Sequence, residues 1–113
     1  MSNEVVVCRN QSNVGADTIE IFYTADAGIT GVLVTSFTAT NDGTSSVSFK
    51  AYLYDAGGNP VNSVIPFSIV KRDRANYGPS LVGQIIPPGG SLRIECSAIG
   101  GLNFNAAGQI LGS

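Results

Sequence analysis

The sequence predicts a small all-β domain, folded as a two-sheet antiparallel sandwich of the jelly-roll or immunoglobulin-like kind, with about seven to eight strands. Apolar residues recur with a period of two along most of the chain, and Gly, Pro, Asn and Asp interrupt them at short intervals. No stretch has the period of an amphipathic helix. The 113 residues fit one domain, so we expect residues 1–113 to fold together, with residues 1–10 as a terminal strand or arm.

Four strands are predicted in the first half of the chain, over residues 4–9, 18–24, 32–40 and 47–54. In the second strand, Ile19, Ile21 and Tyr23 point one way, and Glu20, Phe22 and Thr24 point the other. In the third strand both sets of alternating residues contain apolar side chains, which predicts that both faces of this strand are covered. The fourth alternates most cleanly: Val47, Phe49, Ala51 and Leu53 are predicted to face inward, and Ser48, Lys50, Tyr52 and Tyr54 outward.

Turn residues separate these strands from those of the second half. The run Asn41-Asp42-Gly43 predicts a hairpin-grade turn, because these residues tolerate positive φ. Pro66 lies within residues 64–70, so a strand there is predicted to be an edge strand or to be broken. Residues 71–80 are predicted to form a polar loop. Further strands are predicted over residues 81–86 and 91–97, and residues 103–106 and 108–111 predict one final strand or two short ones.

Residue types restrict the chemistry. The chain has no histidine, which excludes Ser–His–Asp and Cys–His catalysis. Its two cysteines, Cys8 and Cys96, cannot complete the usual four-ligand zinc site without histidine; they are predicted to be buried, reduced thiols. Most carboxylates lie in turns, where a short Asp side chain caps its own backbone. We therefore predict a non-enzymatic protein with no catalytic residue, no metal site and no cofactor.

The charge pattern excludes several partners. The net charge is −2 and only 12% of the residues are charged, so the chain lacks the basic stripe that binding of nucleic acid requires. The basic cluster of Lys71, Arg72 and Arg74 predicts a solvated loop. No apolar run approaches the roughly 18 residues of a membrane span, and the N-terminus lacks the pattern of a signal peptide, so we expect folding in a cytoplasm. Low charge indicates a surface available to a protein partner.

Two groups of residues are candidates for contact. The candidate interface comprises Val5, Val6, Val7, Val32, Val34, Tyr52 and Tyr54. The first three belong to a terminal strand that either closes its own sheet or adds to the sheet edge of a neighbour. A second set, Tyr23, Tyr52, Tyr54 and Tyr77, consists of the aromatic side chains that could stack on a sugar ring.

Four segments carry a resemblance to a known group of proteins. They are GVLVTSFTATN at residues 31–41, VSFKAYLYD at residues 47–55, IIPPGGSL at residues 85–92 and AAGQI at residues 106–110. Together they resemble small tailed-bacteriophage virion structural proteins of the capsid cement or decoration type. In that family a strand ending in Thr-Asn pairs with a strand ending near a Gly-rich turn, and a late strand closes the domain. Gln109 stands where the family commonly has an acidic residue.

The resemblance implies a structural role without catalytic residues. The first hypothesis is a capsid cement or decoration protein, assembled in the host cytoplasm and located in the virion. Its partner would be the major capsid protein or another virion protein, and it would work as a homo-oligomer, trimer or dimer. The alternative is a carbohydrate- or receptor-binding sandwich module of a tail or fibre.

Overall fold

The chain consists of β-strands joined by turns and short loops. A computed structural model describes residues 3–112, and within it the side chains of residues 62, 63 and 66 are not described. Residues 1, 2 and 113, which the predicted arm and domain include, lie outside the described residues. The described part contains nine strands and no helix: β1 Glu4–Gln11, β2 Ile19–Thr24, β3 Gly31–Asn41, β4 Val47–Tyr54, β5 Pro60–Val70, β6 Arg74–Asn76, β7 Ile85–Ile86, β8 Ser91–Cys96 and β9 Asn103–Leu111.

The strands form two antiparallel sheets, which confirms the predicted sandwich with more strands than expected. The first sheet has the order β1-β9-β3-β6, with β7 also paired to β3, and the second has the order β2-β8-β4-β5. The pairings nest, since β1 pairs with β9, β2 with β8, β3 with β6 and β7, and β4 with β5. In a jelly roll, one long hairpin is rolled up so that its successive strand pairs alternate between two sheets. The observed pairing follows this rule, so the sandwich is a jelly roll and not immunoglobulin-like.

The core lies between the sheets, and β4 and β8 supply its regular part. Val47, Phe49, Ala51 and Leu53 of β4 are buried as predicted, and so are Leu92, Ile94 and Cys96 of β8. Side chains that alternate along a strand point to opposite faces of the sheet, so the remaining residues of these strands face outward. At the centre of the core, four aromatic rings have centroid separations of 5.2 to 6.1 Å; they belong to Phe22, Phe37, Phe49 and Phe104.

The prediction that both faces of the third strand are covered is wrong. β3 contains a bulge, seen as a register shift against β9 between Val34 and Ser36. Val32 and Val34 point into the core before the bulge, and Phe37 and Ala39 point into it afterwards. One inserted residue exchanges the two faces of a strand, so the apolar residues of both alternating sets serve a single inward face.

Other predicted elements also differ from the structure. The Asn41-Asp42-Gly43 turn does not make a hairpin, and the strand pairing implied by the resemblance is absent, because β3 and β4 lie in opposite sheets. The polar stretch 71–80 contains the short strand β6, which pairs with β3. Of the predicted strand 81–86, only Ile85–Ile86 is a strand, since Leu81–Gly83 forms a turn. The strand containing Pro66 is an edge strand, as expected.

The terminal strand β1 closes its own sheet. It pairs with β9 and buries the side chains of Val7 and Cys8. Two register shifts interrupt its ladder, between Val6 and Cys8 and between Cys8 and Gln11. Bulges of this kind blunt the free edge of a sheet against pairing with another chain. β1 is therefore an integral edge strand of the domain.

Four loops come together at one end of the sandwich. Because all pairings are antiparallel, the β1–β2, β3–β4, β5–β6 and β8–β9 connections lie at the same end of the strands. We call this region the loop end; it comprises residues 12–18, 42–46, 71–73 and 97–102. The β2–β3, β4–β5 and β7–β8 connections lie at the opposite end.

Candidate interaction surfaces

Two buried asparagines hold the loop end together. Asn13 lies in the β1–β2 loop, and its Nδ2 donates to the carbonyl oxygens of Gly15 at 2.7 Å and Ala98 at 2.8 Å. Its Oδ1 accepts from the backbone N–H of Gly100 at 3.2 Å. Asn13 is thus hydrogen-bonded to its own loop and to the β8–β9 loop. A buried amide whose donors and acceptor are all satisfied fixes the loops that it joins.

Asn41 does the same for the other two loops. Its Nδ2 donates to the carbonyl oxygens of Ser45 and Val70, both at 2.8 Å, and its Oδ1 accepts from Gly43 N–H at 3.0 Å. The Asn41 carbonyl oxygen accepts from Asp73 N–H at 2.8 Å. The β3–β4 loop is therefore tied to the Asn41 side chain, and the β5–β6 loop to its backbone carbonyl. Loops fixed on a scaffold are a common place for binding surfaces.

The loop end presents two apolar side chains to solvent. Val14 is 82% exposed and Ile99 is 67% exposed. Val14 lies between Asn13 and its partner Gly15, and Ile99 lies between the partners Ala98 and Gly100. The Val14 N–H also donates to Glu20 Oε1 at 2.9 Å. Their backbones are held, so the side chains cannot retreat into the core by a small loop movement. We call Val14 and Ile99 the apolar tip.

Sequence reasoning missed the apolar tip because neither residue belongs to an alternating pattern. The signal was nevertheless present: Val14 stands between Asn13 and Gly15, and Ile99 directly precedes two glycines. An apolar side chain inside a turn belongs to neither face of a strand, so alternation does not predict its burial. Such a residue is exposed unless another element covers it.

The outer face of the second sheet is the other candidate surface. Ile19 and Ile21 of the edge strand β2 are exposed, and so are Phe67 and Ile69 of the opposite edge strand β5. Of the two alternating sets of β2, the one that contains Phe22 therefore faces the core, and the one that contains Ile19 and Ile21 faces outward. We call this surface the sheet face; apolar side chains line both of its edges.

Polar and aromatic residues occupy the middle of the sheet face. Tyr52 O–H donates to Glu95 Oε1 at 3.2 Å. The Cζ of Arg93 lies 4.0 Å from the centroid of the Tyr54 ring, within the range of a cation–π contact. Burial and the neighbouring Glu95, which accepts its hydrogen bond, raise the pKa of Tyr52. These contacts hold the side chains at the centre of the sheet face in place.

The structure separates the predicted interface residues into three groups. Val7, Val32 and Val34 are core side chains, so they are not available to a partner. Val6 is 50% exposed on the outer side of β1, and Val5 is half-buried. Tyr52 and Tyr54 lie on the sheet face, where their rings are partly covered.

Among the four candidate tyrosines, Tyr77 is the one free to stack on a ligand. It is 68% exposed and borders an open hollow of about 470 Å³ that Asp42, Asp73 and Arg74 also line. Tyr23 is half-buried, and its pKa is raised by burial and by Asp26. Tyr52 and Tyr54 are engaged by Glu95 and Arg93, as described above.

The two cysteines are free and buried in opposite sheets, as the sequence predicts for reduced thiols. Burial raises the pKa of Cys8 to about 11 and that of Cys96 to about 12, in the latter case with help from the charges of Glu20 and Glu95. A thiol reacts through its thiolate. These side chains therefore act as small apolar groups in the core.

Residues 3–112 contain no group of three or more His, Cys, Asp or Glu side chains that could hold a metal ion. No helix long and apolar enough to cross a membrane occurs among them. No protein-family model matches the sequence, and no curated protein matches it.

Proposed function

We propose that this protein is a non-enzymatic structural protein of a bacteriophage virion, and that it acts as a capsid cement or decoration protein. The observation that carries the proposal is the presence of two separate surfaces with exposed apolar side chains on one small domain. A protein that clamps a shell must hold one neighbour with one surface and a second neighbour with another. The apolar tip and the sheet face offer such a pair.

The apolar tip is suited to contact with a shell subunit. Val14 and Ile99 project from loops that Asn13 fixes, so binding requires little further ordering. Preorganised side chains lose less conformational entropy when they bind. The sheet face is larger and mixed in character, as expected for contact with another folded domain.

The fold is compatible with this role. Jelly rolls are found in viral capsid domains and in lectin domains, and one fold serves many functions. The resemblance over residues 85–92 and 106–110 favours the virion, whereas the pairing that it implies between residues 31–41 and 47–55 does not occur. Location in the shell and the major capsid protein as partner belong to the same proposal.

The direct test is composition of the particle. Virions of the phage that encodes the chain are purified on a density gradient and analysed by quantitative mass spectrometry. The proposal expects the chain at high copy number, in proportion to the major capsid protein. Absence from the particles, or only a few copies in each, would contradict a cement role.

A binding test addresses the apolar tip. Capsids lacking the protein are mixed with wild-type chain or with a Val14→Asp/Ile99→Asp variant, and the bound fraction is measured after sedimentation. We expect the variant to bind at least about tenfold more weakly, because a charge replaces each buried apolar contact. Val82→Asp, which alters an exposed apolar residue in the β6–β7 connection, is the matched control and should bind like the wild type.

The alternative, a carbohydrate-binding module, has one observation in its favour. The hollow beside Tyr77 combines an exposed aromatic ring with Asp42, Asp73 and Arg74, and sugars are held by aromatic stacking and planar polar side chains. A glycan array would show defined binders that are lost on Tyr77→Ala and kept on Tyr54→Ala, since Arg93 already covers that ring. An array without binders removes this alternative.

A further inference from the structure

The strand register aligns the side chains of the sheet face in rows. Ile19 on β2 pairs with Glu95 on β8, and Glu95 pairs with Lys50 on β4. On β5 the residue beside Lys50 is Phe67: it precedes Ser68, the partner of Phe49, at a register shift between Phe49 and Ala51, and it borders the same hollow as Lys50. One row across the four strands therefore reads apolar, acidic, basic, apolar. The next row places Ile21 beside Arg93 and Arg93 beside Tyr52.

The two charges at the centre of the first row do not pair with each other. Glu95 Oε1 accepts the hydrogen bond of Tyr52, and within residues 3–112 Lys50 forms no ion pair. Lys50 and Glu95 are half-buried neighbours on adjacent strands. Both charges are consequently available to a partner above the sheet.

This row is complementary to itself under one rotation. The two-fold axis runs above the sheet face, parallel to the strands and midway between β8 and β4. It places a second copy face to face with the first, so that β8 of the second copy lies above β4 and its β2 lies above β5. Because Glu95 and Lys50 are in register, Glu95 of each copy then faces Lys50 of the other. Ile19 of each copy faces Phe67 of the other, and Arg93 faces Tyr52.

The size of the face suits such a contact. Four strands about 4.8 Å apart, with about eight residues at 3.3 Å along β4, give a face of roughly 19 by 26 Å. That is about 500 Å² for each copy and about 1,000 Å² for the pair, which reaches the lower limit for a specific interface. Phe67, Lys50 and Glu95 also border a hollow of about 140 Å³, which offers room for an incoming side chain such as Ile19.

We propose that the sheet face binds a second copy of this chain, forming a face-to-face dimer in which Lys50 and Glu95 pair reciprocally across a two-fold axis parallel to the strands. The axis makes the dimer isologous, with two identical ion pairs at its centre and apolar contacts along both edges. The inference does not rest on the proposed function, since self-association through this face is independent of what the loop end binds.

Charge reversal provides the test. Sedimentation equilibrium at about 1 to 100 µM, the range expected for a modest interface, is measured for wild type, Lys50→Glu, Glu95→Lys, the double variant and Arg9→Glu. We expect wild type to dimerise and each single variant to dimerise at least about tenfold more weakly, because each creates two like-charge contacts. The double variant exchanges the two charges and should dimerise again. Arg9→Glu reverses an exposed charge on the other sheet and should change nothing.

A mixture of the two single variants separates the dimer from effects on folding. In a heterodimer of Lys50→Glu with Glu95→Lys, both reciprocal contacts have opposite charges. We therefore expect the mixture to dimerise more tightly than either variant does alone. The proposal is overturned by a wild type that stays monomeric, by a trimer, by dimerisation that both single variants leave unchanged, or by a mixture that stays monomeric.

Discussion

At the scale of single residues, the core depends on side chains whose positions the alternation of β4 fixes. Phe49 is buried, and its ring centroid lies 6.1 Å from that of Phe37 and 5.5 Å from that of Phe104. Aromatic pairs at these separations contribute beyond the area that they bury. Phe67, on the neighbouring strand, is instead 58% exposed. The two residues form a matched pair of identical chemistry and opposite environment.

We predict that Phe49→Ala lowers the free energy of unfolding by about 3 to 5 kcal/mol, the usual cost of truncating a buried aromatic residue. Phe67→Ala should cost less than about 1 kcal/mol in the monomer, because its ring already contacts water. Urea unfolding of both variants measures the difference. Equal losses at the two positions would show that the register of β4 and β5 is not the one described.

The cysteines predict a pH dependence of stability. Their pKa values in the folded chain, about 11 for Cys8 and about 12 for Cys96, lie above the ordinary value of 9.0. The folded state therefore holds these protons more tightly than the unfolded state does. Stability from this source is fully present below pH 9 and is lost as the pH rises from 9 through 11 and 12.

We expect the thermal midpoint of the wild type to fall as the pH is raised above 9. For each protein the fall is measured from its own midpoint at pH 8. It should be smaller in a Cys8→Ala/Cys96→Ala variant, because that variant has no thiol to ionise. Tyr23 and Tyr52, whose pKa values are also raised, account for part of the remaining fall. Alkylation checks the same burial: at pH 8 the folded thiols should react about a hundredfold more slowly than the unfolded ones. Rapid modification of either thiol in the native protein would contradict this.

At the scale of elements, the terminal strand has a definite role. β1 pairs with β9 and adds Val7 and Cys8 to the core, so it belongs to the domain and is not a detachable arm. We predict that deletion of residues 1–10 strongly destabilises the fold, because β9 loses a neighbour and the core loses two side chains. Thermal unfolding followed by circular dichroism measures this.

A chain lacking only residues 1–2 is the control for that deletion, since β1 then remains complete. It should unfold near the wild-type temperature. If the chain without residues 1–10 instead melts cooperatively at the wild-type temperature, β1 contributes nothing to the domain and the arm hypothesis returns.

Features that depend on local sequence patterns could be predicted, whereas features that depend on pairing between distant segments could not. The inward residues of β4 and β8 were predictable, because alternation is local and each strand is unbroken. The bulge of β3 at Thr35 and Ser36 left no mark, since Thr and Ser are tolerated on either face. The orientation of Ile19 and Ile21 depends on pairing with Arg93 and Glu95, far away in the sequence.

The candidate surfaces were predictable only in part for the same reason. Tyr52 and Tyr54 were placed outward by alternation, and they lie on the sheet face. The opposition of Lys50 and Glu95 needs the register of β4 against β8, which no local pattern specifies. Val32 and Val34 are predicted interface residues because both alternating sets of β3 contain apolar side chains. The bulge turns these side chains to one inward face and removes that reason.

At the scale of the whole molecule, the two surfaces are related by the direction of the strands. The proposed two-fold axis runs parallel to the strands, so it does not exchange the two ends of the sandwich. Both loop ends of the dimer therefore point the same way. A dimer of this kind would present two apolar tips, each with its Val14 and Ile99, to a single flat surface such as a capsid shell.

Two linked contacts bind more tightly than one, because the second forms at a high effective concentration. We predict that Lys50→Glu weakens attachment to capsids by about a hundredfold, the lower part of the range that bivalency provides, although its loop end is unchanged. The Lys50→Glu/Glu95→Lys variant should regain wild-type attachment. The Val14→Asp/Ile99→Asp variant should attach at least about tenfold more weakly than wild type while still forming dimers. Titration of each protein against capsids, with the bound fraction measured by sedimentation, provides the comparison. Attachment of Lys50→Glu with wild-type affinity would show that each chain binds the shell alone, and the dimer would then have no part in attachment.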